Sequence, residues 1–129
     1  MIGLDTNVLV RYLTQDDDKQ WKQAVEIIES GEICFICNVV LCEVIWVLRS
    51  KSYQFTREDI SNIIGIMLQC PTFAWENRSV IYQSLQRFKQ GKADFSDYLI
   101  GAIAQQSDCT TTATFDQKLK SEKGFNCFE

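Results

Sequence analysis

The chain has 129 residues, a formal net charge of −4, 46% hydrophobic and 12% aromatic residues, six cysteines and no histidine. That is the size of one ordinary domain with a real core. It excludes a membrane span, since no apolar run nears the roughly 20 residues required, and the acidic balance argues against a broadly basic nucleic-acid surface.

In chain order, short β-like runs alternate with longer helical ones. "MIGL" reads as a strand, ending at Asp5. Residues 7–14 read as a short helix capped by Thr6 or Asn7. "QDDD" is a polar turn. Lys19–Ser30 is amphipathic, with Trp21, Ala24, Val25 and Ile28 at i, i+3, i+4 and i+7, and Gly31 is a natural stop. "ICFIC" reads as a buried strand, and Asn38 as the cap of "VVLCEVIWVLRS". Thr56 with Asp59 predicts a capping box opening "REDISNIIGIMLQC". "TFAW" is a strand, Asn77 caps "RSVIYQSLQRFKQ", "DFSDYLIGAIAQQS" is helical, "CTTTATF" is strand-like, "DQKLK" a last short helix and "FNCF" a last strand. This alternation predicts an α/β class with a mainly parallel sheet covered on both faces, in a single domain over residues 1–129.

The six cysteines lie mostly in apolar stretches such as "EICFICNVVLCEV", as buried free thiols do. Cys34 and Cys37 have no second Cys or His pair to complete a zinc site, and on a strand they face opposite sides. No basic-then-apolar leader opens the chain. The expectation is a cytoplasmic protein with free thiols.

In parallel sheets, ligands bind at the carboxyl ends of the strands. Asp5 and Asp116 fall at such ends, Glu43 lies in a helix just after a strand, and Asp94 and Asp97 open another helix, sharing a face at i, i+3. Each has a plain reading: Asp5 as a turn residue, Asp94 or Asp97 as a helix cap, Asp116 as the cap of the last helix. Glu43 resists it, because the apolar "VVLCEVIWVL" reads as a helix buried on most sides. Several carboxylates in one region repel unless a cation offsets them. An oxygen-only set without histidine suits Mg²⁺ or Mn²⁺ rather than zinc. With these five acids set aside, the remaining acids and bases nearly balance, so an acidic chain is compatible with a nucleic-acid substrate.

"LDTNVLV", the interior helical Glu43, "ADFSDYLIGAIA" and "TFDQKL" resemble, in order and spacing, the PIN domain. At this length the chain is similar to the VapC toxins of toxin–antitoxin pairs. The resemblance implies a three-layer α/β/α fold and a metal-dependent endoribonuclease, with Asp5, Glu43, Asp97 and Asp116 as the catalytic and metal-binding acids. Asp94 is an extra acid, serving as helix cap, outer-shell group or ligand. Thr6 and Asn7 would orient Asp5, and Thr114 would lie near Asp116. The implied cofactor is Mg²⁺ or Mn²⁺. The implied partners are an RNA substrate, a VapB-like antitoxin laid as a helix in an apolar groove, and a second copy of the chain. Arg11 and Lys92 are the candidate phosphate contacts, against the plainer reading of solvated charges. A non-catalytic PIN-like module and a housekeeping RNA-processing nuclease are the alternatives. A haloacid-dehalogenase-type phosphatase is disfavoured because Asn7 stands where its second acid belongs, and a receiver domain because a late-strand lysine is missing.

Overall fold

A computed structural model describes residues 1–128. They form two compact units, Met1–Arg78 and a second that begins at Ser79. Among the described residues no helix is long and apolar enough to cross a membrane.

The first unit holds strands β1 (Ile2–Gly3), β2 (Cys34–Ile36) and β3 (Phe73–Trp75), paired in parallel in the order β1-β2-β3. Cys34 pairs with both Ile2 and Phe73, which fixes the register. Cys34 and Ile36 are completely buried on this middle strand. Helices α1 (Thr6–Thr14), α2 (Asp18–Ile28), α3 (Asn38–Leu48) and α4 (Arg57–Gln69) complete the unit, with α1 packed on α2 and α3. Leu9 and Val10 of α1, Ala24 and Ile28 of α2, and Val40, Leu41, Val44, Ile45 and Leu48 of α3 are buried.

Local chemistry explains the ends. Asp17 caps α2 by accepting the Gln20 N–H at 3.0 Å. The predicted capping box opens α4: the Asp59 N–H donates to Thr56 Oγ1 at 3.0 Å, and the Thr56 N–H to Asp59 Oδ2 at 2.9 Å. Three predicted ends shift. The cap of α1 is Asp5, not Thr6 or Asn7, because its side chain already accepts the first free N–H. Asn38 is the first residue of α3 rather than its cap; Cys37 holds the cap position and makes no side-chain bond there. Instead Glu76, just past β3, accepts the Asn38 N–H at 3.0 Å. Helix α2 stops at Ile28, and Gly31 follows with the left-handed φ of +94°.

The second unit contains most of α5 (Arg78–Gln90), α6 (Phe95–Gln106), a 3₁₀ turn at Gln117–Leu119, and the parallel pair β4 (Thr112–Thr114) and β5 (Phe125–Cys127). The parallel strands thus form a three-stranded and a two-stranded sheet rather than one continuous sheet. Tyr98, Phe88 and Phe95 are the largest fully buried side chains. The Tyr98 hydroxyl accepts the Ala93 N–H at 3.3 Å and donates to Glu122 Oε1 at 3.1 Å. Arg87 donates to Glu122 Oε2 at 3.0 Å while lying 5.3 Å from the Tyr98 ring centroid and 5.4 Å from that of Phe125. One buried phenol and one guanidinium therefore fasten α5, α6 and the β5 approach together.

Candidate active site

Within the first unit, the parallel register brings the ends of β1 and β2 to one edge, so Asp5 and the start of α3 are neighbours by construction. Asp5 is exposed, and its Oδ1 accepts the Thr6 N–H at 2.8 Å. The Thr6 hydroxyl turns the other way and donates to Glu43 Oε1 at 2.7 Å. The sequence expectation gave Thr6 the task of orienting Asp5; its backbone does so, while its side chain holds Glu43. Asn7 is exposed on the following turn.

Glu43 is exposed, which overturns the expectation of a helix buried on most sides. The apolar run of α3 divides into two faces: Val40, Leu41, Val44, Ile45 and Leu48 point inward, while Val39 and Trp46 stay 68% and 77% exposed. Glu43 belongs with the second set at i+4 and i+7 spacing. Its carboxylate needs no counter-charge to offset burial.

Arg11 lies on α1 beyond these acids. Its Nε donates to Gln20 Oε1 at 2.6 Å, and its Nη1 pairs with Asp16 Oδ1 at 2.9 Å. Asp16 also accepts from the Tyr53 hydroxyl at 2.6 Å and from Thr14 Oγ1 at 2.9 Å. These donors, Tyr53 first, hold the Asp16 carboxyl down at about 2. Arg11 is engaged within its own unit. Lys92 is exposed just before α6.

The second unit gathers three acids. Asp94 caps α6 and is exposed; its N–H donates to Asp97 Oδ2 at 3.2 Å. Asp97 is half-buried, and burial raises its pKa most; the Asp94 N–H opposes that, the charges of Asp94 and Asp116 raise it further, and Lys118 lowers it. Asp116 follows β4 and caps the 3₁₀ turn, its Oδ1 accepting the Lys118 N–H at 2.9 Å. The Asp116 N–H donates to Thr114 Oγ1 at 3.0 Å, so Thr114 fixes this turn as expected of a nearby residue. Cys127 on β5 donates its thiol to the Asp116 carbonyl at 3.4 Å. Lys118 and Cys127 were not singled out from sequence. The D-Q-K spacing, two residues in a tight turn, is the signal that places Lys118 beside the acids.

Among the described residues no group of three or more Cys, Asp or Glu side chains stands close enough to hold a metal ion outright. The donor chemistry nevertheless fits a hard divalent cation. All the donors are carboxylate oxygens, and around Asp97 burial and two like charges disfavour ionisation, a condition such a cation relieves.

Comparison with known proteins bears on the family of the chain. The family model described as "PIN domain" matches residues 2–123. A VapC ribonuclease of Aquifex aeolicus (strain VF5) is 25% identical over 122 residues, covering 91% of this chain and 88% of that protein. With the match running across nearly all the elements described above, the chain belongs to the PIN domain family.

Proposed function

We propose that this chain is a divalent-metal-dependent endoribonuclease that hydrolyses RNA phosphodiester bonds, acting as the toxin of a VapBC-type pair, as a homodimer in the cytoplasm. The observation that carries the reading is how the acids are held. Asp5 is fixed by the Thr6 N–H, Glu43 by the Thr6 hydroxyl, Asp97 by the Asp94 N–H and Asp116 by the Lys118 N–H. These donors are neutral, so the carboxylates are oriented while their charge is kept for something else. Membership of the PIN family and the likeness to a protein named as a ribonuclease support RNA as the substrate.

In this reading Asp5, Glu43, Asp97 and Asp116 are the residues that would hold one or two Mg²⁺ or Mn²⁺ ions. A bound divalent ion supplies Lewis acidity, acidifying water and offsetting the charge that builds on phosphoryl oxygens. Thr6 orients Asp5 and Glu43, and Thr114 fixes the turn that carries Asp116. Asp94, exposed beside Asp97, is the carboxylate left to accept the proton released by the attacking water, since the chain has no histidine for the task.

The test is cleavage of a mixed pool of structured RNAs with Mg²⁺ or Mn²⁺ and with chelator, beside Asp5→Asn. Asparagine caps a helix as well as aspartate, so this variant keeps the α1 cap and loses only the charge. Metal-dependent cleavage that falls by at least about 100-fold in Asp5→Asn supports the reading. Cleavage that survives the substitution, or that ignores the chelator, rejects it.

A further inference from the structure

We propose that the pocket between the end of α6 and the start of the β4–β5 pair is a binding site for a small phosphate monoester, separate from the acids and independent of the nuclease reading. The pocket has a volume of about 450 Å³ and is lined by residues of the second unit. That is the size of a site for a small organic molecule. Gly101 and Gln105 line it from α6, residues 110–112 from the approach to β4, and Lys123 and Phe125 from the start of β5. Asp97 stands in the first turn of α6, and Asp116 follows the far end of β4. From Asp97 to Gln105 the helix rises about 12 Å.

The pocket is built rather than incidental. A Cβ at Gly101 would come within 2.5 Å of the Phe125 ring, so the glycine lets that ring lie against α6. Arg87 of α5 flanks the same ring, its Cζ 5.4 Å from the centroid. Residues 122–125 form a tight turn, closed by the Phe125 N–H donating to the Glu122 carbonyl at 3.3 Å. Gly124 is third in it, with the positive φ of +88° that a type II turn requires there. The Lys123 carbonyl accepts Arg87 Nη2 at 2.7 Å, and the Gly124 carbonyl accepts the Thr112 N–H at 2.9 Å and Thr111 Oγ1 at 3.2 Å. Hydrogen bonds therefore tie the walls to one another before any ligand arrives.

Charge selects the ligand. Acids outnumber bases in the chain by 17 to 13, yet the described residues of the lining include Arg87 and Lys123 and no carboxylate. Glu122 offsets Arg87 from outside the lining, at 3.0 Å. Arg87 meets Glu122 and the Lys123 carbonyl through Nη2 alone, which leaves Nε and Nη1 without a hydrogen-bond partner among the described residues. Lys123 is exposed and forms no ion pair among them. A guanidinium, an ammonium and threonine hydroxyls are donors that suit a phosphate. A monoester carries nearly two negative charges at neutral pH, against one for each phosphodiester of a nucleic acid, and so matches the paired cations better. The Phe125 ring and the threonine methyls add an apolar side, which the carbon body of an ester covers and inorganic phosphate does not.

The experiment titrates full-length wild-type protein with phenyl phosphate and with adenosine 5′-monophosphate at fixed ionic strength, by isothermal titration calorimetry. Inorganic phosphate and adenosine are the controls. Cys109, an exposed thiol of the lining, reports the location through its alkylation by iodoacetamide, read by peptide mass spectrometry. Cys37, Cys42 and Cys70 of the first unit are the internal reference. Lys123→Glu reverses a charge at an exposed position, with thermal unfolding as the control for folding. At least one monoester is expected to bind with a Kd of about 1 mM or tighter, and to slow alkylation of Cys109 but not of the reference thiols. Lys123→Glu should weaken that binding by about tenfold or more, and both controls should bind at least about tenfold more weakly than the ester. No binding of either monoester overturns the proposal, as does a control that binds as well as the ester. So does binding that leaves Cys109 as reactive as before, or that Lys123→Glu does not change. A short RNA without a terminal phosphate that protects Cys109 at lower concentration than the monoesters also overturns it, and assigns the pocket to a nucleic-acid strand. Every readout is binding alone, so failure of the nuclease reading leaves these outcomes unmoved.

Discussion

The hydroxyl of Thr6 donates to Glu43 Oε1 across 2.7 Å, tying the first turn of α1 to the exposed side of α3. Because the same residue's N–H holds Asp5, a single threonine sets the relative orientation of two acids. Thr6→Val keeps shape and volume but deletes the bond to Glu43. Under the proposed nuclease reading it is expected to lower cleavage by roughly 10- to 100-fold, the usual cost of losing a group that orients a metal ligand, and to raise the Mg²⁺ concentration needed for half-maximal rate. Thr6→Ser should recover most of the activity. Metal titrations of the rate, with Tm as the control for folding, check this. Wild-type metal dependence in Thr6→Val would show that Glu43 needs no such support.

Asp16 gives the molecule a defined acid sensitivity. Its carboxyl titrates at about 2, below the ordinary 3.8, because the Tyr53 and Thr14 hydroxyls and Arg11 stabilise the ionised form. A folded-state pKa below the unfolded one adds stability that is complete above the ordinary value and disappears as pH falls through the folded one. The contribution of Asp16 is therefore present at neutral pH and lost between about 4 and about 2. Urea midpoints of wild type and Asp16→Asn should differ at pH 7 and converge across that window. The group is open to solvent, so the difference is small. Parallel curves down to pH 2 would contradict the assignment.

Gly91 makes room for the largest buried side chain of the second unit. A Cβ at this position would run into the Tyr98 hydroxyl and come within 2.7 Å of Glu122 Oε1. Gly91→Ala should destabilise by about 1–3 kcal/mol, as overpacking does, lowering Tm by several degrees. Tyr98→Phe removes the obstructing oxygen at the expense of its bonds to Ala93 and Glu122. The double variant should therefore be more stable than the sum of the two single losses predicts. Strict additivity in thermal unfolding would mean that the chain relaxes around the new methyl.

The sequence reading succeeded where a local rule decides the outcome. The Thr56–Asp59 box is written in two residues, and the alternation of strands and helices implies parallel pairing, which all three strand pairs show. It failed where a distant residue decides. Asn38 looked like a cap because its type favours that position, but the carboxylate that serves α3 comes from Glu76, on the far side of β3. Glu43 looked buried because its neighbours are apolar; the helix keeps Val39 and Trp46 on the surface beside it, and composition alone cannot tell which face of such a run is turned inward. Among the acids of the second unit, the charges of Asp94 and Asp116 both act on Asp97. Lys118 escaped notice because a 3₁₀ turn, unlike a full helix, has no periodic pattern to flag it.

The carboxylate that Glu76 lends to α3 has a consequence for how such a protein changes over generations. The helix bearing Glu43 has its first N–H met by a side chain that is remote in sequence and exposed to solvent. Substitutions there meet little resistance from packing, yet they remove the partner of the first N–H of that helix. Position 76 is thus a place where inheritance or a protein engineer can alter how the helix of Glu43 begins while every acid stays the same.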